Sequence, residues 1–186
     1  MTEIQPASRA ERPYIRQIYM EAFPREERKP FWLIRRHMRH GKMELLSVVN
    51  DGAPVGLAIT ATGRSVVLLD YFAIEAGRRD GGLGSAALAA LLQRYEGKQF
   101  FLEIESTEIP SDNQAQHLAR KAFYLRNGLQ DTGLRMSLFG VDMELLSSPA
   151  GLDWPACSSI YRLLYGPDYT DHVVLTGNGS APGNCG

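Results

Sequence analysis

The chain has 186 residues, 44% apolar and 22% charged, with a formal net charge of −1. That length supports one domain with a real core, and the near-neutral charge gives no global field that would favour nucleic acid or a membrane surface. Two cysteines, Cys157 and Cys185, exclude a disulfide framework, and the absence of any CxxC or Cys/His cluster argues against a metal site.

The N-terminus lacks a charged-then-apolar leader, and no apolar run approaches the roughly 20 residues of a membrane span. The expectation is a reduced, cytoplasmic protein. Charge is uneven along the chain: residues 1–42 carry ten Lys/Arg against five Asp/Glu, peaking at Arg35–Lys42. A solvated helix end explains that run, since cations complement the helix dipole there; contact with an acidic partner is the alternative.

Glu3–Ala7 reads as a short strand. Ser8-Arg9-Ala10-Glu11 is a capping box, followed by Ile15, Ile18, Tyr19, Ala22 and Phe23 at helical spacing, with Pro13 delaying the start and Pro24 ending it. A second helix is predicted over Lys29–His40, stopped by Gly41. Met43–Asn50 and Val55–Thr62 are strands joined by an Asp51-Gly52 hairpin, and Gly63-Arg64 turns into a third strand, Ser65–Ile74. A Gly82–Tyr95 helix and a Gln99–Glu105 strand complete a right-handed parallel crossover, so the predicted sheet is mixed.

After Pro110, Ser111-Asp112-Asn113-Gln114 reads as a second capping box. The helix behind it has Ala115, Leu118, Ala119, Ala122 and Phe123 on its apolar face and His117, Arg120 and Tyr124 on the other. Gly128 ends it. Leu134–Phe139 and Val141–Leu146 are a closing strand pair, and Trp154, Cys157, Ile160, Tyr161 and Leu164 mark a last amphipathic helix, which packs on the domain or on a second copy in a homodimer. The chain is thus predicted to be one α/β domain over 1–168, with a tail over 169–186 expected to be partly disordered, from the small, polar stretch that starts at Thr176.

The chemistry centres on residues 79–85. A strand feeding a glycine-rich loop and a helix N-terminus gathers backbone N–H groups for an anion. No Gly-Lys-Ser/Thr ending supports a P-loop. Gly82-Leu83-Gly84-Ser85-Ala86-Ala87 satisfies a dinucleotide fingerprint, with Glu103 or Glu105 at the ribose-binding distance. Against it stand the residues Glu75–Gly81 between strand and loop and the antiparallel hairpins upstream. A third possibility is that the glycines only permit close packing.

Arg79-Asp80-Gly81-Gly82-Leu83-Gly84 is R-x-x-G-x-G between a strand and a helix. It resembles the acyl-CoA loop of the GCN5-related N-acetyltransferases, the GNAT family. The resemblance extends from about Ile4 to Leu146 and includes Phe123-Tyr124-Leu125-Arg126-Asn127-Gly128-Leu129, similar to the family's F-Y-x-x-x-G-F, with Leu129 in place of the last phenylalanine. It implies a mostly antiparallel sheet with one parallel pair, and acyl transfer from acetyl-CoA to the amine of a small molecule or protein.

The resemblance also implies roles. Arg79, Asp80, Gly81, Gly82, Leu83, Gly84 and Ser85 would hold the pyrophosphate. The backbone at Phe72, Ala73 and Ile74 would hold the pantetheine arm and polarise the thioester. Tyr124 would be the general acid toward the departing thiolate. His117 stands where the family often has asparagine and is counted with the CoA-binding residues; Arg120 stands where a small alanine is common. Period-two alternation places Asp70 with Leu68 and Phe72, and Glu103 with Glu105. Carboxylates interrupting apolar strands are costly to bury without partners, which makes these three the candidate bases or amine-binding groups. Two other readings remain at this point: a non-catalytic acyl-CoA sensor and an NAD-binding oxidoreductase.

Overall fold

A computed structural model describes residues 1–79 and 81–178. They fall into two units: Met1–Thr62 with Leu69–Glu96, and Gly63–Leu68 with the segment from Gly97 onward.

In the first unit, β1 (Thr2–Pro6) leads to α1 (Arg12–Ala22) and α2 (Phe31–Arg39). The Ser8 capping box forms: Ser8 N–H donates to Glu11 Oε2 at 2.8 Å and Glu11 N–H to Ser8 Oγ at 3.2 Å. Pro13 then sits in the first turn of α1, where its missing N–H costs nothing. Strands β2 (Met43–Asn50) and β3 (Ala53–Thr62) form the expected hairpin. Asp51 and Gly52 both take positive φ, 49° and 79°, as a two-residue turn with the strands' twist requires. β1 pairs antiparallel with β2, and β2 with β3.

Strand β4 (Val66–Ile74) starts in the second unit and ends in the first, where it feeds α3 (Leu83–Arg94). Ala87, Leu88 and Leu91 form the buried stripe of α3, which packs on β1. Val48, Val55, Ile74 and Ala87 make a small core, with Ile4, Phe72 and Leu83 against it. Phe72 and Leu83 bracket the glycine loop, so one apolar cluster holds both the strand end and the helix start.

In the second unit, β5 (Gln99–Glu105) runs parallel to the beginning of β4, with Val66 opposite Gln99 and Leu68 opposite Phe101. There follow α4 (Gln114–Arg126), β6 (Gln130–Leu138), β7 (Val141–Ser148), α5 (Trp154–Tyr165) and β8 (Val173–Asn178). The strand order is β4-β5-β7-β6-β8, antiparallel except for β4–β5. This mixed sheet agrees with the expected fold class and differs from the all-parallel sheet of a dinucleotide fold.

Three expectations are corrected. The expected loss of order does not begin at Thr176: residues 173–178 form β8 on the edge of β6, with Gly177 opposite Arg135. Main-chain hydrogen bonds hold that pairing, so polar composition did not forbid it. Residues 179–186, including Cys185, lie outside the described residues.

Next, α4 turns the other way. Ala115, Leu118, Ala119 and Ala122 are exposed, and Gln114, His117, Lys121 and Tyr124 face inward. The inward face is held by charge pairing to carboxylates on β5, β6 and β7. The second capping box is also absent: Asn113 is the N-cap residue of α4 and no side chain caps it.

Helix α5 packs within its own unit. Cys157, Ile160, Tyr161 and Leu164 are buried, and the Tyr161 ring meets Phe101 edge-on at 6.3 Å. Its apolar face is therefore occupied by this chain and is not a free homodimer surface.

Candidate active site

The first unit carries the glycine loop. Gly82 is the N-cap of α3 at φ +75°, a conformation that only glycine adopts without strain. The first main-chain bond of the helix is Ala86 N–H to Gly82 C=O at 3.0 Å. The N–H groups of Leu83, Gly84 and Ser85 precede it and have no intrahelical acceptor. A Cβ on Gly81 or Gly82 would meet nothing within 4 Å, so open space lies over the loop. Free donors, an aligned dipole and room above them suit a phosphate. Arg79 is exposed, and its Nε donates to Ile74 C=O at 3.1 Å, which ties the cation to the end of β4. Asp80 lies outside the described residues.

At the same strand end, Ala73 and Ile74 are buried and Phe72 is half-buried. Gly56 on β3 explains how closely the backbone approaches: a Cβ there would lie 2.5 Å from Ala73 O. A glycine inside a strand was the available signal for this close approach.

Asp70 is held by a partner that spacing did not reveal. Lys29 Nζ donates to Asp70 Oδ1 at 2.6 Å. The Asp70 side chain is 4% exposed, and its Oδ2 is buried with no hydrogen-bond partner among the described residues. Tyr71 fixes the linker between α1 and α2: its OH donates to Glu27 C=O at 2.8 Å and accepts from Lys29 N–H at 2.9 Å. Tyr19 and Phe23 pack edge-on against its ring, both at 4.9 Å.

In the second unit, the two carboxylates of β5 diverge. Glu103 Oε1 accepts from Tyr161 OH at 2.5 Å, a contact between β5 and α5. Glu105 pairs with His117 through Oε2 and Nε2. His117 is the buried residue of α4, and its Nδ1 lies 3.4 Å from Ser111 Oγ. The hydroxyl expected to cap α4 faces the imidazole instead.

Tyr124, on the inward face of α4, is half-buried and packs edge-on against Phe123 at 5.2 Å. Burial pushes its phenol up to about 12, with Arg120 pulling slightly the other way. One turn earlier, Lys121 bonds Asp131 Oδ2 at 2.8 Å and the fully buried Glu144. Arg135 bonds Asp131 at 2.9 Å and Glu108 at 2.7 Å. Burial opposes ionisation of Asp131 and Glu144, but these cations and nearby donors outweigh it and hold both carboxyls below their ordinary values.

The sequence profile of the acetyltransferase (GNAT) family matches residues 12–124. No curated protein matches the chain. Among solved structures, a protein of Bacteroides thetaiotaomicron described as a GNAT-family acetyltransferase is 20% identical, with 88% of this chain and 98% of that one covered at a TM-score of 0.72. A GNAT acetyltransferase of Elizabethkingia anophelis, solved with acetyl-CoA bound, is 16% identical over 81% and 98% of the two chains, with a TM-score of 0.58. A ribosomal-protein-alanine N-acetyltransferase of Brucella melitensis is 20% identical over 78% and 98%, with a TM-score of 0.55. At these identities the structures speak for the fold.

Proposed function

Because the chain belongs to the GNAT acetyltransferase family, and is therefore an acetyl-transferring enzyme, we propose that it moves an acetyl group from acetyl-CoA to a primary amine by direct attack. The observation that carries the reading is the start of α3, where Gly82 at φ +75° precedes three N–H groups without intrahelical acceptors. In this reading Gly81, Gly82, Leu83, Gly84 and Ser85 bind the pyrophosphate, Arg79 adds a cation, and Asp80 belongs to the same loop on sequence grounds. The backbone at Phe72, Ala73 and Ile74 takes the pantetheine arm and the thioester carbonyl.

The reaction sets the proton balance. The acceptor ammonium loses one proton before its nitrogen attacks the carbonyl carbon. A second leaves as the amide forms, while the C–S bond breaks and the thiolate takes a proton. Tyr124 supplies that proton and is restored by the one the nitrogen sheds as the amide forms; its raised value keeps the phenol protonated across the working range. The three carboxylates divide the remaining tasks. Asp70, held by Lys29, lines the amine pocket and favours an ammonium there through its charge. Glu103 is engaged by Tyr161 and supports α5. Glu105 is the base.

The acceptor is the amine of a small molecule or of a protein; one structural neighbour is named for a ribosomal-protein alanine. The proposal includes a cytoplasmic location; a homodimer would need a surface other than the buried face of α5. No described helix is long and apolar enough to cross a membrane. Thermal shift with acetyl-CoA, CoA and NAD, followed by thiol release against an amine panel, tests the reading. Stabilisation by the CoA species with amine-dependent release is expected. Stabilisation without turnover on any amine would leave only an acyl-CoA sensor, and stabilisation by NAD alone would refute acyl-CoA binding.

A further inference from the structure

We propose that the outward face of α2, formed by Trp32, Arg35, Arg36 and Arg39, is a docking surface for an acidic segment of a partner protein. Helix residues three and four apart share a face, so these positions form one stripe. All four are exposed, Trp32 by 65%. Ile34 and His37 are buried on the opposite face.

Folding alone does not account for the stripe. Tryptophan is among the more buried side chains on average, and this one leaves most of its indole in water. Cations in the last turn complement the helix dipole, which covers Arg36 and Arg39 but neither Arg35 nor the ring. α2 contains no acidic residue. None of the three guanidinium groups has an ion-pair partner among the described residues. Like charges three and four residues apart on a helix repel one another. An anionic partner removes that local cost.

The chemistry selects among anions. Arginine's planar fork suits carboxylates and phosphates alike. Nucleic acid is held through many phosphates and its affinity falls steeply with salt; three guanidinium groups on a chain of net charge −1 are too few. A membrane surface calls for a broad apolar face, and Trp32 is the only apolar member of this stripe. Tryptophan and arginine together are the residues that dominate protein–protein contacts. Along the axis, Trp32, the Arg35–Arg36 pair and Arg39 succeed one another at about 5 Å. Side chains two apart in an extended segment lie on one side at about 6.6 Å, a spacing that long arginine side chains can follow. The matching segment therefore carries an apolar residue and two carboxylates at alternate positions. The apolar side chain covers the indole and each carboxylate meets a guanidinium.

The test is fluorescence polarisation with the full chain and a labelled nonapeptide. The peptide has leucine at its centre, glutamate two and four residues to either side, and serine elsewhere, so either chain direction can engage. Saturable binding that weakens as salt rises is expected. Trp32→Ala, and separately the triple variant Arg35→Gln, Arg36→Gln, Arg39→Gln, should each weaken it at least about ten-fold, with melting temperature and the KM for acetyl-CoA as in wild type. The triple variant Arg35→Glu, Arg36→Glu, Arg39→Glu should bind a peptide with lysine in place of glutamate, a gain that a merely damaged fold would not produce. Binding no tighter than that of a glutamine peptide, or binding that survives the variants, would overturn the proposal. So would tighter binding of an oligouridylate of equal charge or of phosphatidylserine vesicles, or self-association that Trp32→Ala dissolves.

Discussion

Lys29 Nζ and Asp70 Oδ1 lie 2.6 Å apart across 41 residues of chain, and the second Asp70 oxygen is buried without a hydrogen-bond partner among the described residues. A carboxylate so buried is stable only because Lys29 neutralises it. In the proposed acceptor site its negative charge would favour an ammonium nearby. Asp70→Asn should raise the amine KM about 10- to 100-fold, the worth of a nearby opposite charge, and leave the acetyl-CoA KM unchanged. Lys29→Met removes the counter-ion and should cost about 3 kcal/mol in a denaturant melt. An unchanged amine KM in Asp70→Asn would remove Asp70 from the acceptor site.

Tyr124→Phe deletes one oxygen from a half-buried ring. The expected loss in kcat is about 100- to 1,000-fold, with binding of acetyl-CoA preserved. The phenol's value is raised to about 12, so its proton is retained as pH rises and is lost only near that value. The wild-type rate should therefore show no alkaline fall attributable to Tyr124 below about pH 11. A fall centred near 10 that vanishes in Tyr124→Phe would contradict the stated protonation.

Gly82→Ala places a Cβ on a residue at φ +75°, at a strain of about 1 kcal/mol. The methyl also enters the open space over the loop. The KM for acetyl-CoA should rise at least ten-fold, with the amine KM little changed. Equal effects on both would point to general disruption.

The charge cluster on α4, β6 and β7 sets the acid limit of stability. The folded values of Asp131 and Glu144 are depressed, so their contribution is complete above the unfolded carboxylate range near 4 and disappears as pH falls through the folded values. Urea midpoints should hold steady from pH 7 to 5 and drop below about 4. Lys121→Met, which removes the nearest cation from the fully buried Glu144 and leaves it Arg135 at 3.7 Å and the Thr107 donors, should lower stability by about 3 kcal/mol at pH 7 and flatten the acid dependence.

The strand–loop–helix around Gly82 was legible because glycine spacing, a hairpin meander and helical periodicity are local signals. The turn of α4 was not. Its inward side chains are Gln114, His117, Lys121 and Tyr124, which an apolar-face argument sends to solvent; their partners Glu105, Asp131 and Glu144 lie on three strands. Glu103 and Tyr161 are 58 residues apart, and nothing in either segment names the other. Strand β8 escaped because Gly177 and Asn178 pair with β6 through the main chain, which composition does not report. Their cost in apolar strands singled out the carboxylates; their partners Lys29, Tyr161 and His117 lie far away in sequence.

The most direct test of acetyl transfer follows the acetyl group itself. Wild-type protein is incubated with isotopically labelled acetyl-CoA and an amine panel spanning polyamines and peptides with free N-termini, and thiol release and labelled product are quantified together by mass spectrometry. The expected result is labelled amide formed one-for-one with thiol, and no labelled protein with acetyl-CoA alone. Thiol released without labelled amide, or label retained on the protein as an obligatory intermediate, would contradict direct transfer to an amine.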